Sequence, residues 1–269
     1  MSNSETKSQK RFSMLPHNGV DCNDYPCDHF FLAPYPESKT PIFNHDNLTT
    51  VNRPYYLENT TFKNALSAAE SRWGAPGSVR DISWRLHILI SFFEMAHSLI
   101  PNGCFVELGT GKGYMAHGIA TYFKSMPING YLYDTFDSYL PAETASDSSM
   151  PTCFSYADGN PGYPAMLEED LNSISITHNW KVIQGLLPLS IKQTPPDSQI
   201  SFLHVDLNEE TAEYQSLLAL NDRITPSTFI LFDDTGAPGS ENQHVVHKRY
   251  AESLSKRILY LPTGQALVF

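Results

Sequence analysis

The segment from Phe105 to Tyr114, FVELGTGKGY, constrains the fold of this chain more than any other part of the sequence. A short apolar run ends in Glu107, glycines follow at positions 109, 111 and 113, and the next residues have the pattern of a helix. A strand, a glycine-rich turn and a helix N-terminus together direct backbone N–H groups and a helix dipole toward a ligand. The segment therefore predicts a ligand site at the end of a strand.

The side chains around this turn restrict the chemistry of the ligand. Glu107 puts a fixed negative charge at the strand end, which disfavours a phosphate and favours a ligand with positive charge and hydroxyl groups, such as S-adenosylmethionine. The spacing G-x-G-x-G also departs from the dinucleotide fingerprint G-x-G-x-x-G, because Tyr114 and Met115 stand where that fingerprint would finish. An NAD-dependent oxidoreductase is therefore disfavoured.

Strand and helix patterns alternate from residue 104 onward, which predicts an α/β fold with a mostly parallel sheet. The predicted strands are Cys104–Leu108, Gly130–Tyr133, Lys181–Gln184, Ile200–Asp206, Thr228–Asp233, Ile258–Leu261 and Ala266–Phe269. The predicted helices are Thr61–Arg72 (with Thr60 or Thr61 as N-cap), Arg80–Ile100, Tyr114–Phe123, Met166–Ser173, Thr211–Leu220 and His244–Leu254. The last two strands flank Pro262–Gln265, a connection so short that it requires an antiparallel pair.

Composition divides the chain into three parts. Residues 1–15 are polar and predict a disordered tail, residues 16–79 predict a loop-rich cover, and residues 80–269 predict the ligand-binding domain. A second loop is predicted at 142–160. The aromatic residues of the cover suit a lid over an acceptor molecule or, equally, a dimer interface. They are Tyr25, Phe30, Phe31, Tyr35, Tyr55 and Tyr56.

Charge and cysteine content exclude several classes of function. A net charge of −11 without a basic run argues against a nucleic-acid partner. The sequence has neither a secretory signal nor an apolar run long enough to span a bilayer, so we expect a cytoplasmic protein without membrane contact. Its four cysteines are too few for a disulfide framework. A zinc site at Cys22, Cys27 and His29 is disfavoured by their spacing.

Seven motifs in their order along the chain resemble the class I S-adenosylmethionine-dependent methyltransferases, and more narrowly the macrocin O-methyltransferase family. They are RDISWRLH at 80–87, FVELGTGKG at 105–113, YDTF at 133–136, VIQG at 182–185, LHVDL at 203–207, LFDDTG at 231–236 and LPTGQ at 261–265. The resemblance implies a Rossmann-like fold with seven strands, a C-terminal antiparallel hairpin and helices on both faces. It also implies metal-dependent methylation of a sugar hydroxyl in a small natural product.

On this resemblance, S-adenosylmethionine is expected to contact one set of residues along the strand ends. The set is Glu107, Gly109, Thr110, Gly111, Gly113, Tyr114, Asp134, Thr135, Phe136, Gln184, Gly185 and Asp206. Asp134, at the end of the second strand, could accept hydrogen bonds from two ribose hydroxyls. The alternative is that Asp134 caps a helix beginning at Thr135–Phe136.

Three acids, Asp206, Asp233 and Asp234, end two neighbouring strands of the predicted sheet. Carboxylates brought together there repel one another unless a cation or a proton intervenes, and hard oxygen ligands suit Mg²⁺, or Mn²⁺ and Ca²⁺. The resemblance assigns the same three positions to the metal. The alternative is that Asp233 and Asp234 cap the following loop. Asn208 stands where many family members have a second acid, so the site would carry one charge fewer.

A sugar hydroxyl needs a base to remove its proton, and His204 is the first candidate because it shares a strand face with Asp206. A metal-ligand carboxylate such as Asp206 is another, and His244 and His247 are further candidates that we expect on the surface. Arg85 could pair with the methionine carboxylate of the cofactor, or be a solvated helix residue.

Three functions remain open at this point. The first is O-methylation of a small natural product or its sugar by a homo-oligomer, most simply a dimer. The second is N-methylation of an amine or amino-acid-derived metabolite, which needs no Lewis acid. The third is a cofactor-binding homologue without turnover.

Overall fold

A computed structural model describes residues 43–46, 48–50, 52–72, 81–136 and 160–269. The predicted disordered tail, the candidate zinc residues, residues 16–42 of the predicted cover and the loop predicted at 142–160, apart from Asn160, lie outside these ranges. Four of the six cover aromatics lie outside them as well, while Tyr55 and Tyr56 lie within a short 3₁₀ turn.

Seven strands form one sheet and two further strands form a separate hairpin. The strands are β1 (Phe43–His45), β2 (Leu48–Thr50), β3 (Cys104–Leu108), β4 (Ile128–Asp134), β5 (His178–Gln184), β6 (Ile200–Val205), β7 (Phe229–Phe232), β8 (Ile258–Tyr260) and β9 (Ala266–Val268). Their order in the sheet is β5-β4-β3-β6-β7-β9-β8. Strands β3 to β7 run parallel, and β9 pairs antiparallel with both β7 and β8. The mostly parallel sheet with an antiparallel C-terminal hairpin is confirmed.

Helices cover both faces of this sheet. They are α1 (Thr60–Glu70), α2 (Ser83–Leu99), α3 (Tyr114–Tyr122), α4 (Tyr163–Ile174), α5 (Leu189–Gln193), α6 (Glu210–Leu220) and α7 (Glu241–Ser253). Because successive strand residues point to opposite faces, Phe105 and Phe202 pack against α1 to α4, whereas Val106 and Leu203 pack against α5 to α7. The central strands β3, β6 and β7 are buried throughout, as expected for parallel strands covered on both sides.

Two local predictions were wrong. Residues 43–50 were expected to lack regular structure, but β1 and β2 form an antiparallel hairpin with Asp46 in its turn. The N-cap of α1 is Asn59 rather than Thr60 or Thr61, because the Asn59 side chain accepts the Phe62 N–H at 3.0 Å.

The carboxyl ends of the parallel strands are tied together along one edge by backbone hydrogen bonds. The Gly109 N–H donates to the Tyr133 carbonyl at 2.9 Å, and the Asp206 N–H donates to the Leu108 carbonyl at 2.8 Å. The Asp233 N–H continues the series to the Val205 carbonyl at 3.0 Å. The residues that the sequence predicts to contact the cofactor or the metal lie mainly at these carboxyl ends. None of the helices in the described residues is long and apolar enough to cross a membrane.

Candidate functional site

The glycine-rich turn after β3 lies very close to the end of β6. Gly109 has φ +84°, and a Cβ atom built on it would lie only 1.8 Å from the backbone oxygen of Asp206. Only glycine tolerates both the left-handed conformation and this approach. Gly113, with φ +78°, precedes the first residue of α3. The turn therefore packs against the Asp206 backbone at Gly109 and leads into the N-terminus of α3 at Gly113.

Two side chains, one just after α1 and one at the start of α4, donate hydrogen bonds to the backbone of the same turn. The Lys112 carbonyl accepts the Arg72 Nε–H at 3.3 Å and the Tyr163 hydroxyl at 3.1 Å. Arg72 itself forms an ion pair with Asp170 at 3.0 Å. Neither Arg72 nor Tyr163 was among the predicted site residues, because their partner is a backbone carbonyl that carries no sequence signal.

Asp134 joins the glycine-rich turn to the end of β4, with one carboxylate oxygen bonded to each. Its Oδ2 accepts the Gly111 N–H at 2.7 Å, and its Oδ1 accepts the Phe136 N–H at 2.8 Å. No helix begins at Thr135 or Phe136 in the described structure, so the helix-cap interpretation is wrong. Oδ1 also accepts the Thr135 hydroxyl at 3.5 Å, whereas Oδ2 has a second lone pair, and ribose binding by Asp134 stays a prediction.

The neighbouring strand end carries the other residues predicted to contact the cofactor. The Gln184 amide donates to the Thr135 carbonyl at 3.1 Å, and the Gly185 N–H donates to the Asp134 carbonyl at 2.9 Å. Thr135, Asp134, Gln184 and Gly185 thus line one corner of the edge beside the glycine-rich turn.

Glu107 and His204 form a buried pair on adjacent strands. Glu107 Oε1 lies 2.9 Å from His204 Nδ1, and both side chains are almost fully buried. Burial raises the pKa of Glu107, and His204 partly opposes that rise. Glu107 Oε2, the Thr110 hydroxyl and His204 Nε2 are buried without a hydrogen bond to the described residues. Buried polar atoms without partners are uncommon and point to a ligand.

Asp206, Asp233 and Asp234 converge as predicted, with one ligand oxygen of each within 4.8 Å of the others. Burial raises the pKa of Asp206 well above its usual range, and the charges of Asp233 and Asp234 add to the rise. The pKa of Asp234 is raised as well, by burial and by Asp233. Asp233 differs: burial would raise its pKa, but His204 and Arg85 lower it to about 2. Two of the three carboxyls therefore lie where a positive charge would be favourable.

Arg85 lies away from solvent, among carboxylates and a backbone carbonyl. Its Nε and Nη2 donate to Asp46 at 2.7 and 3.3 Å, and Nη2 also donates to the Thr263 carbonyl at 2.9 Å. Its Nη1 lies 2.6 Å from Asp233 Oδ2 and 3.4 Å from Asp234 Oδ1. Arg85 is buried, and its five N–H donors are all directed at these partners. The solvated interpretation is therefore wrong, whereas pairing with the cofactor carboxylate stays a prediction for which these partners leave little room.

The environment of His204 argues against its role as the general base. Burial would lower its pKa, but Asp233 and Glu107 outweigh burial and raise it to about 10. His204 Nε2 lies 3.7 Å from Asp233 Oδ1, within ion-pair distance but too far for a hydrogen bond. The carboxylates on both sides of this buried imidazole favour its protonated form, which has no free lone pair to accept a proton from a substrate.

The other two candidate histidines also differ from expectation. His247, predicted on the surface, is buried and stacks on Phe232 with ring centroids 3.8 Å apart. His244 is half-buried and stacks on Tyr260 at 5.4 Å. Neither histidine contacts the three acids through a hydrogen bond or ion pair that the described residues form.

Two polar side chains of the site were missed. Asp46 pairs with Arg85, and the Gln265 amide donates to Asp233 Oδ1 at 2.8 Å. The Asp-Asn pair at 46–47 is compatible with a turn, because both residue types tolerate the left-handed conformation, but it is not one of the pairs that predict a hairpin. Gln265 had been assigned only to the turn before β9, and nothing local indicates its partner.

The donor set fits a divalent ion. Asp206 and Asp234 offer carboxylate oxygens at a point where their own repulsion favours a cation, and hard oxygen ligands suit Mg²⁺, Mn²⁺ or Ca²⁺. Asp233 offers less, because Arg85 and Gln265 occupy one lone pair on each of its oxygens. The Asn208 amide lies 3.4 Å from Asp206 Oδ1 and adds no charge.

No protein-family model and no curated protein matches the sequence. Solved structures do match the fold. The calicheamicin methyltransferase CalS11 gives a TM-score of 0.58 at 15% sequence identity, over 81% of this chain and 93% of that chain. The apo structure of CalS11, described as a TDP-rhamnose 3'-O-methyltransferase, gives 0.52 at 15% identity, over 81% of this chain and 95% of that chain. The likeness shows that this chain has the Rossmann-like fold of these methyltransferases.

Proposed function

We propose that this chain is an S-adenosylmethionine-dependent O-methyltransferase that acts, with the help of a divalent ion, on a hydroxyl of a small natural product or its sugar. One observation carries the proposal: a glycine-rich turn held by Asp134 and a cluster of three carboxylates share one sheet edge. The motifs that resemble the macrocin O-methyltransferase family, and the name of the fold neighbour CalS11, support the same function.

The cofactor half of the edge is assigned to Asp134, Glu107 and the glycine-rich turn. Asp134 accepts hydrogen bonds from the ribose hydroxyls while it holds the Gly111 N–H. Glu107 supplies negative charge to the positively charged part of the cofactor. Because methyl transfer from a sulfonium is an in-line displacement, these residues contribute chiefly by aligning the methyl group with the acceptor oxygen.

The acceptor half of the edge is assigned to the acids. Asp206 and Asp234 would hold the ion, and Asp233, which is already bonded to Arg85 and Gln265, would contribute less. A bound divalent ion lowers the pKa of a coordinated hydroxyl and orients it. We assign proton removal to the Asp206 carboxylate rather than to His204, because an ionised carboxylate beside the ion has a lone pair for the proton, whereas the carboxylates around His204 favour its protonated form. His204 instead stabilises the ionised forms of Glu107 and Asp233.

The proposal is tested first by native mass spectrometry of freshly purified protein, with bound S-adenosylmethionine or S-adenosylhomocysteine expected. The protein is then incubated with S-adenosylmethionine and a panel of hydroxylated glycosides, before and after chelation. We expect methylated product that disappears with chelation and returns with Mg²⁺ or Mn²⁺. Absence of cofactor binding would overturn the proposal, and turnover that survives exhaustive chelation would remove the metal from it.

The ribose assignment predicts that Asp134→Ala weakens S-adenosylhomocysteine binding about 10- to 100-fold, because hydrogen bonds to charged groups contribute about 1.5–3 kcal/mol each and water recovers part of the loss. Calorimetry with the 2'-deoxyribose analogue of the ligand separates this role from support of the turn. The analogue should lose affinity for the natural protein but not for the variant. Asp197→Ala is the same change near the amino ends of the strands, where Asp197 contacts Asn129 at the start of β4. It should leave S-adenosylhomocysteine binding unchanged.

A second candidate, N-methylation without a metal, is favoured by one observation. Arg85 already places a cation beside Asp233 and Asp234, so Asp206 and Asp234 could instead bind the ammonium form of an amine acceptor, and Asp206 would take its proton before the neutral amine attacks the methyl group. Turnover of amines that is indifferent to chelation would select this candidate.

A further inference from the structure

The hairpin formed by β1 and β2 is joined to α2 by a buried ion pair. Asp46, in the hairpin turn, lies 2.7 Å from Arg85 Nε, and its side chain has no exposed surface. Asp46 has φ +53°, a left-handed conformation that an aspartate adopts only at some cost. A charged residue placed in this way at a turn is held by its partner, because a buried carboxylate without a counter-charge would be strongly destabilising.

The opposite end of the same guanidinium reaches the acidic centre. Arg85 Nη1 lies 2.6 Å from Asp233 Oδ2 and 3.4 Å from Asp234 Oδ1. One buried positive charge is therefore shared among three carboxylates, of which one comes from the hairpin and two come from the centre. Charges at such distances interact strongly in a partly buried site, where the effective dielectric constant is far below that of water.

We infer that Arg85 and Asp46 together set the affinity of the acidic centre for its cation. Arg85 competes with a bound ion for Asp233 and Asp234. The negative charge of Asp46 partly neutralises the positive charge of Arg85, and the electrostatic potential at the acidic centre is therefore more negative than it would be with Arg85 alone. The hairpin thereby acts on the centre through Arg85, without being a ligand. This inference rests on the proposed function, since it takes the centre to be a cation site.

The two members of the pair have opposite effects on metal binding. Asp46→Asn removes a negative charge and leaves Arg85 fully available to Asp233, so the affinity for Mn²⁺ falls about tenfold or more. The double variant Arg85→Met with Asp46→Asn removes the competing cation, which is the group nearer to Asp233, and the affinity rises by a similar factor. The double variant also avoids leaving the buried Asp46 carboxylate without the charge of Arg85.

The test uses the full chain, freed of metal by chelation and dialysis, with Mn²⁺ alone as the probe. Free Mn²⁺ is followed by electron paramagnetic resonance and the heat of binding by calorimetry. S-adenosylhomocysteine affinity and thermal melting report whether each variant is folded. The matched control is Arg53→Met with Glu58→Gln, which removes an ion pair of 2.8 Å on the surface of the same region. Its Mn²⁺ affinity should equal that of the natural protein.

The outcomes separate this inference from the proposed function. Unchanged Mn²⁺ affinity in Asp46→Asn, or weaker binding in the double variant, overturns the inference and leaves a metal-binding protein. Binding only in the double variant supports the inference and removes the metal from the natural reaction. Binding in no variant and not in the natural protein overturns both the inference and the metal assignment.

Discussion

His204 and His247 are buried to the same extent, each with about 1% of its side chain exposed, but their surroundings differ. His247 Nε2 lies 2.8 Å from Glu213 Oε2, and its Nδ1 lies 2.9 Å from the Thr235 hydroxyl. The Gln243 amide donates to the other Glu213 oxygen at 2.9 Å. His204 bonds to Glu107 through Nδ1, while its Nε2 has no hydrogen bond within the described residues.

The difference supports the proposal that the His204 cluster, and not the His247 cluster, belongs to the functional site. Around His247, the two Glu213 oxygens, both ring nitrogens and the Thr235 hydroxyl are all paired, so the cluster joins α6 and α7 and needs nothing further. Around His204, three buried polar atoms make no hydrogen bond within the described residues, and two acids have raised pKa values. A histidine beside a carboxylate is thus weak evidence of function, and unsatisfied buried groups are stronger evidence.

The largest effect on stability is expected in the satisfied cluster. Glu213→Ala leaves His247 and Gln243 buried without their acceptor, and each buried group that loses its hydrogen-bond partner costs about 1–3 kcal/mol of unfolding free energy. Urea denaturation measures the loss. Glu210→Ala, three residues earlier on α6, should cost under about 1 kcal/mol. A loss for Glu213→Ala as small as that of the control would show that the cluster does not stabilise the fold.

A third buried histidine sharpens the comparison, because its hydrogen-bond partner is a backbone carbonyl. His117 Nδ1 lies 2.9 Å from the Gly113 carbonyl, and burial lowers the pKa of His117 to about 4. The unfolded chain binds this proton near pH 6.5 and the folded chain only near pH 4, so stability falls as the pH decreases between these values. His117 should cost the folded state about 2–3 kcal/mol at pH 4.5 and almost nothing at pH 7.

The variant His117→Gln tests this pH dependence. The difference in unfolding free energy between the variant and the natural protein should shift in favour of the variant as the pH falls from 7 to 4.5. Parallel stability curves for the two proteins would contradict the lowered pKa.

The parts of the fold that could be predicted from the sequence are those with local signals. The bounds of β3 were predicted to the residue, because an apolar run ends at a glycine-rich turn. The hairpin of β8 and β9 followed from four turn residues between two short strands. The convergence of Asp206, Asp233 and Asp234 followed from the rule that parallel strands end at one edge.

The parts that could not be predicted depend on partners far away in the sequence. Arg85 had the pattern of any helix arginine, and its role is fixed by Asp46 and Asp233, on either side of it in the chain. His247 lies on α7, whose sequence ENQHVVHKRYAES is so polar that nothing marks a buried face. Its burial depends on Glu213 of α6, a pairing that only the tertiary fold creates.

The smallest predicted effect on stability is a gain rather than a loss, and it comes from a change at Asp206 in the acidic centre. In the metal-free protein, burial and the neighbouring acids raise the pKa of Asp206, so the folded state holds that proton more tightly than the unfolded state. Its ionised form therefore costs stability, and the cost grows as the pH rises above about 4. Asp206→Asn removes this cost and should stabilise the metal-free protein at pH 7 by about 0.5–2 kcal/mol, with no gain near pH 4. The same change should abolish methyl transfer, because the variant cannot accept the proton. Urea denaturation at both pH values, with the exposed Asp222→Asn as control, measures the gain.

Saturating Mn²⁺ should then reverse the order of stability of the natural protein and the Asp206→Asn variant, since an ion that binds only the folded natural chain stabilises it alone. A variant that is less stable than the natural protein at pH 7 without metal would show that Asp206 contributes to the fold as His247 does, and the contrast between the two clusters would fail.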